Sequence, residues 1–334
     1  MDGTPEHPAI DFDDILSASA VLASVTRRTP LLQSGELDAH CGGRILLKAE
    51  HLQLGGSFKL RGAYTCMHAL DPAVRRRGVV AWSSGNHGRG VALAARMLGS
   101  SATIVMPADA PQIKRRAIEQ AGAEVVAYDR YREDREAIAR GIAGERGTSL
   151  VPSYDHPKVI AGQGTVGLEA GMQAIALGIR PDVALLCCGG GGLSAGSGMA
   201  LRALFPDIRL WAVEPAGYDD HARSLAAGRR VRADVQRASV CDSLLAPCPG
   251  ELTFPINRRQ LDGVIVVDDA SVRRAVAFAA TVLKQVVEPG GAVALAALLT
   301  GRPPVAGKDV LCVLSGGNVD ADRHAELVRT GLAD

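Results

Sequence analysis

Lys59 stands in Gly55-Gly56-Ser57-Phe58-Lys59-Leu60-Arg61-Gly62-Ala63, where its position invites chemistry. The run Arg44 to Glu50 ahead of it reads as a buried strand, and the amphipathic stretch behind it continues to Leu70 before Asp71-Pro72 stops it. Ser57 is then the expected N-cap, and Lys59 falls in the first helical turn. A cation there faces the positive end of the helix dipole. The place favours a neutral amine, the form that makes Schiff bases. An isolated lysine is more often a solvated surface residue, so other motifs must decide.

Gly189-Gly190-Gly191-Gly192-Leu193 lies between a strand-like and a helix-like run, which makes it an anion site: glycines let amides approach a phosphate at a helix start. The same loop satisfies a dinucleotide fingerprint, Gly190-x-Gly192-x-x-Ala195, with Glu214 ending the next strand where a ribose-binding acid would sit. The loop alone does not choose. Ser83-Ser84-Gly85-Asn86-His87-Gly88 also opens a helix after a strand, and Ser315-Gly316-Gly317-Asn318 ends the last strong strand. Glu214-Pro215-Ala216-Gly217-Tyr218-Asp219-Asp220 is a short acidic loop whose carboxylates and carbonyls could hold a hard divalent ion, or simply be solvated.

These motifs need a scaffold, and the chain alternates strand-like and helix-like runs as parallel α/β folds do. Val79 to Ser83, Ala102 to Met106, Glu124 to Tyr128, Val183 to Cys188, Leu210 to Val213, Val264 to Val267 and Val310 to Leu314 are the strands. Helices are expected over Asp13 to Val25, Pro111 to Ala121 and about Arg132 to Arg146. A (β/α)8 barrel also fits, but its catalytic residues sit at strand ends, whereas Lys59 starts a helix. An open doubly wound sheet is the better expectation.

The 334 residues suggest about two domains. With 37 basic and 36 acidic residues and no basic run, nucleic acid is not an expected partner. Short apolar runs speak against a membrane span, and the start of the chain shows no secretory pattern. Seven cysteines without a CxxC pair suit a reducing compartment, so the cytoplasm is expected.

Lys48-Ala49-Glu50-His51-Leu52-Gln53, followed by Gly56 to Ala63, resembles the segment holding pyridoxal phosphate in the threonine/serine dehydratases and serine racemases. These enzymes have the tryptophan-synthase-β fold type, and the resemblance runs from Thr29-Pro30-Leu31 past Asn318. It implies two open doubly wound α/β domains with the cofactor in the cleft between them. The smaller covers about 80–155 and the larger 1–79 with 156–334. Phe58 and Lys59 would meet the cofactor, the Schiff base forming on Lys59. Gly189, Gly190, Gly191, Gly192 and Leu193 would cradle its phosphate, Asn86 would touch its ring hydroxyl, and Ser315 would bond its pyridine nitrogen. Ser83, Ser84, Gly85, Asn86 and His87 would hold the substrate carboxylate, with Ser84 facing the cofactor opposite Lys59. Gly162-Gln163-Gly164-Thr165 and Glu288-Pro289-Gly290-Gly291-Ala292 resemble walls of the same site, with no role assigned to Glu288. Glu214, the carbonyl of Tyr218 and Asp220 match a racemase-type site for magnesium, manganese or calcium.

The implied activity is elimination of water from L-threonine or L-serine, giving a 2-oxo acid and ammonia, with serine racemisation as a possible companion. A 3-hydroxyaspartate dehydratase is the alternative within the family and would need a cation for the second carboxylate. Arg89, where many relatives carry glutamine, is expected at the surface, contact with an acidic substrate being its lesser reading. Outside the family stand a nicotinamide oxidoreductase and a non-catalytic metabolite-binding protein. The expected partners are a small amino-acid substrate and a second copy of the chain, in a homodimer or other homo-oligomer. No separate C-terminal regulatory domain is expected.

Overall fold

Ten strands form in chain order in the computed structural model, which describes residues 9–83, 85–110, 112–233 and 239–333. They are β1 (Leu31–Leu32), β2 (Arg44–Ala49), β3 (Val79–Trp82), β4 (Ala102–Pro107), β5 (Glu124–Tyr128), β6 (Ser149–Leu150), β7 (Val183–Cys187), β8 (Arg209–Pro215), β9 (Gly263–Val267) and β10 (Asp309–Leu314). They divide into two open sheets, a six-stranded one in the order β1-β2-β10-β7-β8-β9 and a four-stranded one in the order β5-β4-β3-β6. Only β1 runs antiparallel to its neighbour. The barrel alternative is therefore set aside.

β7 is buried throughout and β10 nearly so. Helices cover both faces of a parallel sheet, so its central strands must be apolar along their whole length. One row of the larger sheet reads Leu47, Cys312, Leu185, Trp211, Gly263 across five strands. With that register, the turns after β2, β10, β7 and β8 all leave from the same edge, where open α/β sheets bind ligands.

The four-stranded sheet is built from the stretch between β2 and β7, and one helix ties it to the larger sheet. Helix Lys59–His68 packs on helix Asn86–Met97 from one side and helix Pro157–Ala176 from the other. Glycines permit this closeness: a Cβ on Gly90 would stand 3.0 Å from the Lys59 carbonyl carbon, and one on Gly162 would stand 2.6 Å from the Arg61 carbonyl oxygen. Lys59 therefore begins the helix that joins the two layers.

Element edges differ from expectation for local reasons. Helix Arg135–Arg146 starts three residues later than the charge pattern suggested, because the Asp134 side chain caps it by accepting from the Glu136 and Ala137 amides. Ser57 is not the N-cap of the lysine helix. It is extended and bridges to Gly316, while Phe58 takes the cap position without a side-chain bond.

Candidate active site

The Phe58 amide donates to the Ser315 carbonyl at 3.2 Å, so the turn carrying Lys59 is fastened to the end of β10. Lys59 Nζ donates to the Ser153 carbonyl at 2.8 Å and lies 5.1 Å from the centroid of the Phe58 ring. No carboxylate pairs with it among the described residues. Burial alone lowers its pKa to about 8. The helix-start argument thus gave the right direction, but desolvation is the main cause.

Beneath this turn lies a charged cluster that sequence patterning did not single out. Arg61, two residues beyond the lysine, makes a two-point bond to Glu50, with Nε to Oε2 at 2.9 Å and Nη2 to Oε1 at 2.8 Å. Glu169 accepts from both Arg61 Nη2 at 3.2 Å and Lys48 Nζ at 2.5 Å. Lys48, Glu50 and Arg61 are essentially inaccessible to solvent. Burial opposes charge on Glu50, yet the guanidinium of Arg61 holds its carboxyl below the usual range. The available signal was two charges, Lys48 and Glu50, at the end of an otherwise apolar strand.

Gly191 adopts φ +92°, and a Cβ on Gly190 would run into the ring of Tyr154. The amides of Gly189, Gly190, Gly191, Gly192 and Leu193 donate to none of the described residues, and the last two open helix Gly192–Leu204. Five free amides and a cradle that any side chain would fill suit the phosphate of pyridoxal phosphate. The ribose alternative fails on Glu214. Its two oxygens accept from the His221 and Ala222 amides at 2.9 and 3.0 Å, so it is turned into its own loop and fully buried.

Asn86 is brought to the same edge. Its Nδ2 donates to Glu288 Oε1 at 2.5 Å, and its Oδ1 accepts from Asn318 Nδ2 at 2.7 Å. Burial first, then the charge of Asp242, pushes the Glu288 carboxyl up to about 8, so it is protonated at neutral pH. Ser315 is buried at the end of β10, beside the Cys187 thiol. Ser83 Oγ accepts from the Gly85 amide at 3.1 Å, leaving the Asn86 and His87 amides at the helix start without a partner among the described residues. His87 Nε2 donates to the Val151 carbonyl at 2.8 Å, and burial together with Lys59 lowers its pKa to about 3. It is a neutral structural imidazole. Ser84 lies outside the described residues.

A cavity of about 160 Å³ opens against this loop, lined by Gly85, Asn86, Arg89, Lys114 and Asn318 among others. Arg89 Nη1 donates to Asn318 Oδ1 at 2.7 Å, and Lys114 pairs with the half-exposed Asp242. A Cβ on Gly85 would stand 3.7 Å from Lys114 Nζ. Lys114 was not singled out from the sequence, because nothing local marks a surface lysine as facing a loop 29 residues away.

The acidic loop is not solvated. Glu214, Asp220 and His221 are fully buried, and Tyr218 nearly so. His221 Nδ1 lies 3.5 Å from Glu214 Oε1 and 3.5 Å from Asp220 Oδ2, so an imidazole separates the two carboxylates. Burial raises the pKa of both acids. Among the described residues, the group whose donor atoms lie within 4.8 Å of one another is Cys188, Glu214 and His221.

The pattern of a family described as "Pyridoxal-phosphate dependent enzyme" matches residues 22–316. The chain is 42% identical to an L-threo-3-hydroxyaspartate ammonia-lyase of a Pseudomonas species, covering 95% of this chain and 98% of that protein. Among solved structures it resembles a T.th. threonine deaminase at TM-score 0.87 and 44% identity, over 93% of this chain and 99% of that one. Maize serine racemase superposes at TM-score 0.90 with 36% identity, over 97% and 98% of the two chains.

Proposed function

The chain belongs to the pyridoxal-phosphate dependent enzymes, and on that premise we propose that it eliminates water from a β-hydroxy amino acid to give a 2-oxo acid and ammonia. The observation that carries this reading is Lys59, an amine with a lowered pKa and no described carboxylate to retain its proton. Pyridoxal phosphate, when bound, supplies the electron sink that makes the substrate Cα–H acidic.

The chain's own groups then divide the work. Lys59 Nζ would hold the cofactor and is the amine that would take the substrate Cα proton as general base. The amides of Gly189 to Leu193 anchor the phosphate, and those of Asn86 and His87 receive the substrate carboxylate. The Ser315 hydroxyl would bond the pyridine nitrogen. A hydroxyl does not force that nitrogen to stay protonated, which favours rapid expulsion of a β-hydroxyl over a long-lived carbanion. Ser84 is the proposed proton donor on the opposite face for any racemisation. The smaller domain is taken as 80–155 and the larger as the remainder. A homodimer or other homo-oligomer is proposed, in the cytoplasm. The seven unpaired cysteines fit a reducing compartment. Among the described residues no helix is long and apolar enough to cross a membrane.

L-Threonine and L-serine are the first substrates proposed. A second reading, L-threo-3-hydroxyaspartate, is favoured by the two cations, Arg89 and Lys114, on the cavity beside the carboxylate loop. Keto-acid and ammonia release in equal amounts from at least one of the three would support elimination. No product from any of them, in protein for which a separate borohydride-treated sample shows cofactor fixed on Lys59, would reject it.

A further inference from the structure

We propose that Cys188, Glu214 and His221 form a buried site for one divalent transition-metal ion of borderline softness, zinc being the type; Asp220 Oδ2 lies 3.5 Å from the same histidine. The sequence resemblance suggests a hard ion held by Glu214, the Tyr218 carbonyl and Asp220. The side chains that meet here are of another kind: a thiol and an imidazole share the pocket with the acids.

Distance supports the assignment. Two donors bound to zinc at about 2.0–2.3 Å in a tetrahedron lie roughly 3.3–3.8 Å apart. His221 Nδ1 is 3.5 Å from both Glu214 Oε1 and Asp220 Oδ2, and the donor atoms of Cys188, Glu214 and His221 fall within 4.8 Å of one another. Solvation points the same way. Magnesium keeps several waters, and calcium takes six to eight oxygens. Cys188 is 1% exposed, and Glu214, Asp220 and His221 are 0% exposed. A dry pocket with sulfur and nitrogen suits an ion that prefers thiolate and imidazole ligands to water.

A single ion also accounts for a cluster of orphaned atoms. Asp220 Oδ1 and Oδ2, His221 Nδ1 and Asn257 Oδ1 are buried without partners. The Asn257 amide nitrogen Nδ2 lies 3.1 Å from His221 Nε2. On metal binding the thiol proton leaves for solvent, and Nδ1 must be free of its proton, with the ring's remaining proton on Nε2. A half-turn of the Asn257 amide then presents its orphaned Oδ1 to that proton, the usual outer partner of a metal-bound histidine. The Gly191 carbonyl, which would lose the Asn257 bond, keeps those from the Ala195 amide and Ser194 Oγ. The ion would sit directly behind the phosphate loop: Cys188 precedes Gly189, and His221 Nε2 is 2.5 Å from where a Gly191 Cβ would stand.

The test uses the cofactor-loaded protein, dialysed with zinc or cobalt(II). The expected result is one ion per chain. Zinc-edge X-ray absorption of the unmutated protein should show one sulfur at about 2.3 Å and nitrogen or oxygen at about 2.0–2.1 Å. Cobalt should give the intense visible bands of a tetrahedral site, lost in Cys188→Ser and kept in Cys66→Ser. Asn257→Ala should lower zinc affinity by roughly tenfold or more. The site is wrong if zinc is not retained, if its shell contains oxygen alone, or if equimolar magnesium or calcium displaces cobalt. X-ray absorption needs no variant, so a misfolded Cys188→Ser would not leave the matter open.

Discussion

Arg61 and Glu50 meet through two parallel hydrogen bonds, Nε to Oε2 at 2.9 Å and Nη2 to Oε1 at 2.8 Å, with both side chains out of reach of solvent. The pair joins the turn after β2 to the helix that begins with Lys59. Its flat two-point geometry fixes the rotation of that helix more tightly than a point charge could. Arg61→Met leaves Glu50 charged and buried with one main partner gone. A loss of about 3–5 kcal/mol is expected, as for other broken buried pairs, and urea unfolding of the cofactor-free protein measures it. Arg61→Lys keeps the charge without the fork and should recover only part of the loss. Full recovery would mean that charge alone matters here.

Lys59→Ala should fold, because the ammonium makes one carbonyl bond and no described ion pair. It should lose both covalent cofactor attachment and turnover. In the unmutated protein freed of cofactor, the rate of cofactor attachment should rise with pH around about 8, where the amine sheds its proton. The linkage has a definite sign. From about 8 up to the ordinary value of 10.5, the unfolded chain holds a proton that the folded chain has lost, so stability rises with pH across that window. Lys59→Met should abolish both pH effects. Attachment mapped to Lys48 or Lys114 would remove Lys59 from the mechanism.

The parallel strands and the glycine loop were legible in the sequence because each depends on local patterning. Apolar runs define β7 and β10, and four consecutive glycines define the cradle. Ser57 was misread because its competing partner, Gly316, is 259 residues away, and a backbone bridge leaves no trace in side-chain type. Glu169, Lys114 and His221 escaped for the same reason: each acts through a contact made only by folding. The solvated alternative for the acidic loop fails for another reason. Carboxylates normally signal solvent, but here β8 ends inside the sheet edge and takes Glu214 with it.

Glu288 offers a second pH test. Its folded pKa, about 8, lies above the ordinary 4.5, so between those values the folded chain holds a proton that the unfolded chain has released. Stability should therefore fall as pH rises from 4.5 to about 8. Glu288→Gln has nearly the same shape and can still accept the Asn86 bond through its carbonyl oxygen. It should flatten that part of the profile and raise the melting temperature most at the alkaline end. An unchanged slope in melting temperature against pH would show that Glu288 is already ionised in the fold.

Arg89 bears on which substrate the site takes. It lies one turn into helix Asn86–Met97, and its guanidinium reaches Asn318, which in turn holds Asn86. Lys114 approaches the same cavity but is shared with Asp242. A threonine methyl gains nothing from two cations, whereas the second carboxylate of 3-hydroxyaspartate would form charge-assisted bonds with them. A hydrogen bond to a charged group is worth about 1.5–3 kcal/mol, or roughly ten- to a hundredfold. Arg89→Gln should therefore lower kcat/KM for L-threo-3-hydroxyaspartate by that factor, mainly through KM. L-Threonine should change by no more than a few-fold, because its single carboxylate is proposed to lie on the amides of Asn86 and His87. Lys114→Gln should show the same preference more weakly, since Asp242 already competes for that ammonium. Both substrates falling together would assign Arg89 to holding Asn318 and Asn86 in place, and the dicarboxylate reading would lose its support.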